Sequence, residues 1–131
     1  MAAFREIVRE LLSFRRSRSL DRWVASAHRF RWDAEQRGAQ LLADHLSREQ
    51  RIEYERRGYF HVTGNDTGKR YRIQRGYQLN VEELDERGRR VRSLCFMPEG
   101  RVPLGDLLLA QKMALELFEA DALRIAHKYP L

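Results

Sequence analysis

The sequence predicts an α+β fold: N-terminal helices, a four-stranded antiparallel β-meander, and a C-terminal helix packed on the sheet. Three observations carry that prediction. Apolar residues recur at three-four spacing through residues 1–46, the period of an amphipathic helix. From Tyr59 to Met97 the period falls to two, and short runs are separated by turn residues. Beyond Pro103 a segment that is apolar on most sides regains helical character.

The first expected helix covers residues 2–14, where Phe4, Ile7, Val8, Leu11 and Leu12 are helically spaced. The run "RRSRS" interrupts it. Ser19 then stands where an N-cap would start a longer helix over 20–45, with Asp21 in its first turn. The apolar stripe of that helix is Trp23, Ala27, Phe30, Ala34, Leu41 and His45. Gly38 weakens its middle by about 1 kcal/mol relative to alanine. A capping-box pattern, "SREQ" at residues 47–50, starts a short helix over 48–57, and Gly58 sits at its C-cap.

In the first strand Phe60 and Val62 alternate with Tyr59, His61 and Thr63. "GNDTG" turns the chain, and Tyr71 and Ile73 alternate with Arg70, Arg72 and Gln74. "RGYQ" leads to Leu79 and Val81, and "DERGR" to a fourth run over 91–97. A consistent register opposes Phe60 to Ile73, Val62 to Tyr71, Ile73 to Leu79 and Tyr71 to Val81. The other face then holds Arg70 opposite Glu82, and Arg72 between His61 and Asn80. After "PEGRVP" a helix is expected from residue 105 or 106 to 119, with a polar stripe of Lys112, Glu116 and Glu119. Its broad apolar surface marks a central helix, buried on more than one side. Asp121 caps a last helical turn over 122–127. The expected organisation is a helical segment, 1–46, and an α+β core, 47–131, within a single domain.

At 131 residues the chain supports one hydrophobic core. It contains no apolar window of about 18 residues that would span a membrane. Charged residues break up the N-terminal apolar positions, so no secretory h-region is expected, and Arg15-Arg16 lacks the apolar run of a twin-arginine signal. The single Cys95 excludes an intrachain disulfide and fits a reducing compartment. These features predict a cytoplasmic protein. The net charge is +6, with 22 arginines against 3 lysines. Arginine suits bidentate contacts to phosphate or carboxylate; a GC-rich genome is the other source of such a bias. Residues 1–46 and 47–102 carry +3 and +4, whereas 103–131 carry −1.

The stretch "VTGNDTGKRYRIQRG" has the letters of a phosphate-binding loop, but three residues rather than four separate Gly64 from Gly68, and Arg70 follows Lys69. Such a loop must run into a helix N-terminus. Here a strand follows, so a hairpin turn is the expected structure. The Asn65-Asp66-Thr67 sequon is expected to go unused without a secretory signal. His28, His45, His61, His127 and Cys95 show no metal-ligand spacing. Cys95 with a histidine is the one nucleophilic option, set in an apolar run that reads as a small buried thiol. The pairs Glu82-Glu83 and Asp85-Glu86 stand beside arginines that would bridge them.

A basic and aromatic sheet face is the main binding candidate. Tyr59, His61, Lys69, Arg70, Arg72 and Arg75, with Tyr77, are expected on the exposed side of the first two strands. Guanidinium groups mixed with aromatic planes suit single-stranded nucleic acid; pairing with Glu82 and Glu83 would instead neutralise part of that face. A second patch, Arg15, Arg16, Arg18 and Arg22 with Trp23, suits a phosphate backbone or an acidic partner.

The segments "SREQRIEYERRGYFHVTG", "GKRYRIQRG", "NVEELDERGR", "LCFMPEG" and "VPLGDLLLAQKMALE" resemble a family of small bacterial and phage proteins of unknown function, over residues 47–126. Members commonly carry Cys-x-His-Pro where this chain has Cys95-Phe96-Met97-Pro98, which counts against a metal role here. The resemblance implies one folded unit from Ser47 onward and supplies no activity. The residues themselves predict a non-enzymatic binding or assembly module, without cofactor or metal, whose basic surface meets nucleic acid or an acidic protein. The alternative expectation is an accessory subunit of a larger complex, using the Trp23–Phe30 stripe or the apolar helix after Pro103.

Overall fold

The computed structural model describes residues 18–131, with side chains from residue 21 onward. The expected helix over 2–14, and Arg15 and Arg16, lie outside the described residues. The elements are α1 (Arg18–His45), α2 (Arg48–Arg57), β1 (Tyr59–Thr63), β2 (Arg70–Gln74), β3 (Val81–Leu84), β4 (Arg90–Cys95), α3 (Leu104–Ile125) and β5 (His127–Pro130). The fold is α+β, with five antiparallel strands in sequence order and α3 packed on the sheet. Among the described residues no helix is long and apolar enough to cross a membrane. The chain divides into two compact units, Met1–Ala34 and Glu35–Leu131.

Helix α1 already includes Arg18 and Ser19, so Ser19 does not cap it. In the first unit Trp23, Phe30 and Trp32 are exposed. Within the second unit the same helix buries Gly38 and Leu42, and Leu46 just beyond its end is buried too, while Leu41 is 44% exposed. The packing face is therefore displaced from the stripe that includes Leu41. Gly38 is the reason α1 can approach α3: a Cβ on Gly105 would overlap the Gly38 carbonyl, and one on Gly38 would lie 2.9 Å from Pro103 Cβ. What reads as a weak point of the helix is its crossing point.

Helix α2 has the expected ends. Ser47 Oγ accepts from the Gln50 N–H (3.1 Å), Gln50 Oε1 accepts from the Ser47 N–H (3.0 Å), and Gly58 closes the helix at φ 74°. The β1–β2 register is also as expected, with Phe60 opposite Ile73 and Val62 opposite Tyr71. Between β2 and β3 it differs by two residues. Ile73 faces Val81, Arg72 faces Glu82 and Tyr71 faces Glu83. Leu79, expected in the strand, lies in the turn at φ 50° and is exposed. The turn is longer, and the ladder resumes at Asn80, whose carbonyl accepts from the Gln74 N–H (2.7 Å) while its side chain exchanges hydrogen bonds with buried Gln111 (2.7 and 3.1 Å). A slip of two preserves every side chain's face. The core accordingly collects Phe60, Val62, Tyr71, Ile73, Val81 and Leu94 against Leu108 and Leu115 of α3.

The last helical turn expected over 122–127 is present as far as Ile125, and a strand takes its final residue. Helix α3 runs to Ile125, with non-helical backbone at Phe118 (φ −141°, ψ 42°), and Ala126 turns the chain into β5. This fifth strand pairs with β4, setting Cys95 beside His127 and Ser93 beside Tyr129. It satisfies backbone groups that a four-stranded meander would leave along β4. The new edge is four residues long and carries Lys128 and Pro130, both of which discourage further strand pairing. Nor is α3 buried all round: Met113, Leu117 and Phe118 are exposed, whereas Glu119, expected in a polar stripe, is fully buried.

Candidate nucleic-acid interface

The phosphate-loop letters form the β1–β2 hairpin, and that loop does hold an anion. The anion is the chain's own Glu119. Its carboxylate accepts from the N–H groups of Asp66 (2.9 Å) and Thr67 (2.7 Å), from Thr67 Oγ1 (2.6 Å) and from Tyr71 Oη (2.6 Å). Gly64 must lack a side chain, because a Cβ there would overlap this carboxylate. Burial alone would push the Glu119 carboxyl up; the bonds from Thr67, Tyr71 and Asp66 outweigh it and hold the group below the usual carboxylate range. Asn65 completes the latch across the α3 kink, donating to the Leu117 carbonyl (2.9 Å) and accepting from the Glu119 N–H (2.9 Å). The loop is thus filled from within.

The expected basic face divides. Lys69 reaches the core-facing side of the sheet, where Nζ donates to Glu83 (2.9 Å), which also binds Arg92. Burial opposes ionisation of Glu83, but the two cations hold its carboxyl below the ordinary range. On the opposite side Arg72 bridges to Glu82, with Nε at 2.8 Å, and Gln74 donates to the same carboxylate (2.7 Å). His61 pairs with Glu53 of α2. Arg70 is exposed at the far end of β2, opposite Leu84 rather than Glu82. Tyr77 Oη donates to Glu35 (3.3 Å). Arg22 and Trp23 are exposed on α1; the side chain of Arg18, and Arg15 and Arg16, lie outside the described residues.

What the fold does assemble is a corner where α2 ends, β1 begins and β2 ends. Gly58 in its left-handed conformation turns the chain from α2 into β1, and its carbonyl accepts from the Arg75 N–H (2.9 Å). Arg75 lies over the Tyr54 ring, 4.9 Å from the centroid, with Nε donating to Tyr54 Oη (3.3 Å). Arg72 lies over Tyr59 at 5.2 Å, and Arg57 donates to Tyr59 Oη (3.2 Å). The Tyr54 ring meets Phe60 edge-on at 5.8 Å, anchoring the corner to the core. Cation–π contacts of this kind fix guanidinium groups while leaving them charged. Among the described residues neither Arg57 nor Arg75 makes an ion pair.

Of the residues singled out by sequence, Tyr59 and Arg72 share one side of the sheet at this corner, with His61 beside Tyr59 in an edge-on contact (5.7 Å). Arg75, expected on that face, falls on the other side beside Tyr54, because it alternates with Gln74. Tyr54 and Arg57 were missed. Their signal was present in the register: if Phe60 opposes Ile73, then Gly58 lies beside Arg75 and the last turn of α2 joins the group.

Cys95 does not meet His61, which lies three strands away, roughly 14 Å at the usual strand spacing. Its cross-strand neighbour is His127, exposed on β5. Among the described residues no hydrogen bond joins this thiol to the ring, and no group of three or more His, Cys, Asp or Glu converges as a metal site. Comparison with protein-family models, curated proteins and solved structures finds no match.

Proposed function

We propose that this chain is a non-enzymatic binding module whose Arg57–Arg72–Arg75 corner contacts nucleic acid. The observation that carries the reading is a pair of arginine–tyrosine contacts at the junction of α2 with β1 and β2. Arg75 lies on Tyr54 at one side of the sheet, and Arg72 and Arg57 meet Tyr59 at the other. Arg57 and Arg75 are exposed and unpaired among the described residues. Positive charge on a rigid frame is what a phosphate backbone requires, and such binding weakens steeply with salt. The test is titration with single-stranded and duplex oligonucleotides at two salt concentrations. Arg57→Glu with Arg75→Glu is the variant to compare, because Arg72→Glu would also face Glu82 and disturb the sheet. Binding that ignores both salt and the double reversal would end the reading.

A second reading, an accessory subunit of a protein complex, is favoured by Trp23, Phe30 and Trp32, exposed at 69%, 73% and 65%. Large aromatic side chains left in water mark interaction surfaces. Light scattering with Trp23→Ala/Phe30→Ala tests it: association that the variant does not weaken argues against this helix.

A further inference from the structure

The geometry points to a specific ligand mode at the corner: an unpaired base stacks on the guanidinium of Arg75, so the site selects single-stranded nucleic acid. This inference rests on the nucleic-acid reading above. Tyr54 supports Arg75 from one side at 4.9 Å, and the Nε–Oη bond and the backbone bond to Gly58 fix the arginine at both ends. Arg75 itself is exposed. A guanidinium held at its Nε edge and otherwise exposed leaves its plane open to a ligand, and nucleobases stack on arginine planes as they do on aromatic rings. In a duplex the bases stack on one another and present only their edges, so this contact is closed to them.

Charge at the corner is modest, which makes stacking the selective part. Glu53 is taken by His61 and Glu82 by Arg72, while Glu55 stays exposed on α2. Arg72, committed to Glu82 and the Tyr59 ring, is a positioning residue. Arg57, held at Tyr59 Oη and otherwise exposed, meets one neighbouring phosphate, and the terminal N–H edge of Arg75, whose Nε alone is engaged, meets a second.

Fluorescence anisotropy with four probes tests the inference: a 12-nucleotide deoxyadenosine strand, the same strand with abasic sites, a duplex of equal length, and poly-L-glutamate. The intact strand is expected to bind about tenfold or more tighter than any of the other three, the scale of one base–plane stack. Arg75→Lys keeps the charge and removes the plane; it should bring the intact strand down to the abasic level without disturbing the fold. Equal affinity for intact and abasic strands, or an unchanged Arg75→Lys, overturns the stacking mode while leaving salt-sensitive nucleic-acid binding in place. Poly-L-glutamate bound as tightly as the intact strand, or no binding to any probe, overturns both.

Discussion

Tyr71 Oη donates a 2.6 Å hydrogen bond to the buried carboxylate of Glu119, tying the second strand to the kinked end of α3. Both groups are fully buried, and the same carboxylate collects the hairpin loop. The pair therefore joins three parts of the fold through one anion. Its strength depends on Glu119 being ionised and Tyr71 being neutral.

The first prediction is a stability plateau bounded at both ends of the pH scale. Glu119 and Glu83 have folded-state values held below the ordinary carboxylate range. Their contribution is present above the unfolded value of about 4.3 and is lost as pH falls through the folded values. Tyr71 is shifted the other way: burial, then its bond to Glu119, raises it from the usual 10. Its contribution is present below that value and is lost as pH rises beyond it. Urea unfolding across pH should show both declines. Glu119→Gln should flatten the acid limb and Tyr71→Phe the alkaline limb, each costing about 1–3 kcal/mol at neutral pH. Limbs unchanged by either variant would refute the assignment.

Gly64→Ala should destabilise the protein by about 2 kcal/mol or more, because the carboxylate that the new methyl would displace is buried and held by four donors. As a control, Gly58→Ala meets no atom within 4 Å and should cost only the strain of its left-handed backbone, about 1 kcal/mol. Chemical denaturation of the two variants provides the comparison. A smaller loss at Gly64 than at Gly58 would contradict the latch.

Gly105→Ala should cost about 3 kcal/mol, at the upper end of overpacking, since the obstructing atoms are the Gly38 backbone and cannot rotate aside. Thermal melting measures it. A near-neutral result would mean that α1 and α3 do not cross at these glycines.

Asn65→Ala should lose about 1–2 kcal/mol and expose the Glu119 amide, whose partner is the Asn65 side chain. Hydrogen exchange reads this directly. Unaltered protection of that amide would separate Asn65 from the kink.

Much of this architecture was legible in the residues. The capping box at Ser47, the Gly58 stop and the β1–β2 register follow from local pattern, because each signal lies within a few residues of its effect. Three features were set by distant partners. The Asn80 side chain is held by Gln111 of α3, which fixes Asn80 rather than Gln78 opposite Gln74 and so moves the β2–β3 register. Glu119 looks like one member of a polar stripe until the hairpin loop closes on it. Residues 127–130 carry little strand signal, and pairing with β4 makes them a strand. For the candidate site, the sequence placed Lys69 beside Arg72, although alternation about Tyr71 sends it to the other side to meet Glu83. The tyrosine-backed corner needed the tertiary junction of α2 with β2.

If Arg57 and Arg75 carry the contact with nucleic acid, the salt dependence of binding reports their charge. For the wild-type chain and a single-stranded oligonucleotide, log K plotted against log salt should fall with a slope of about −1.4, corresponding to two phosphate contacts. Arg57→Gln and Arg75→Gln should each remove about half of that slope, and Arg70→Gln should leave it unchanged. A slope near zero in the wild type, or one that survives loss of both corner arginines, would contradict the account.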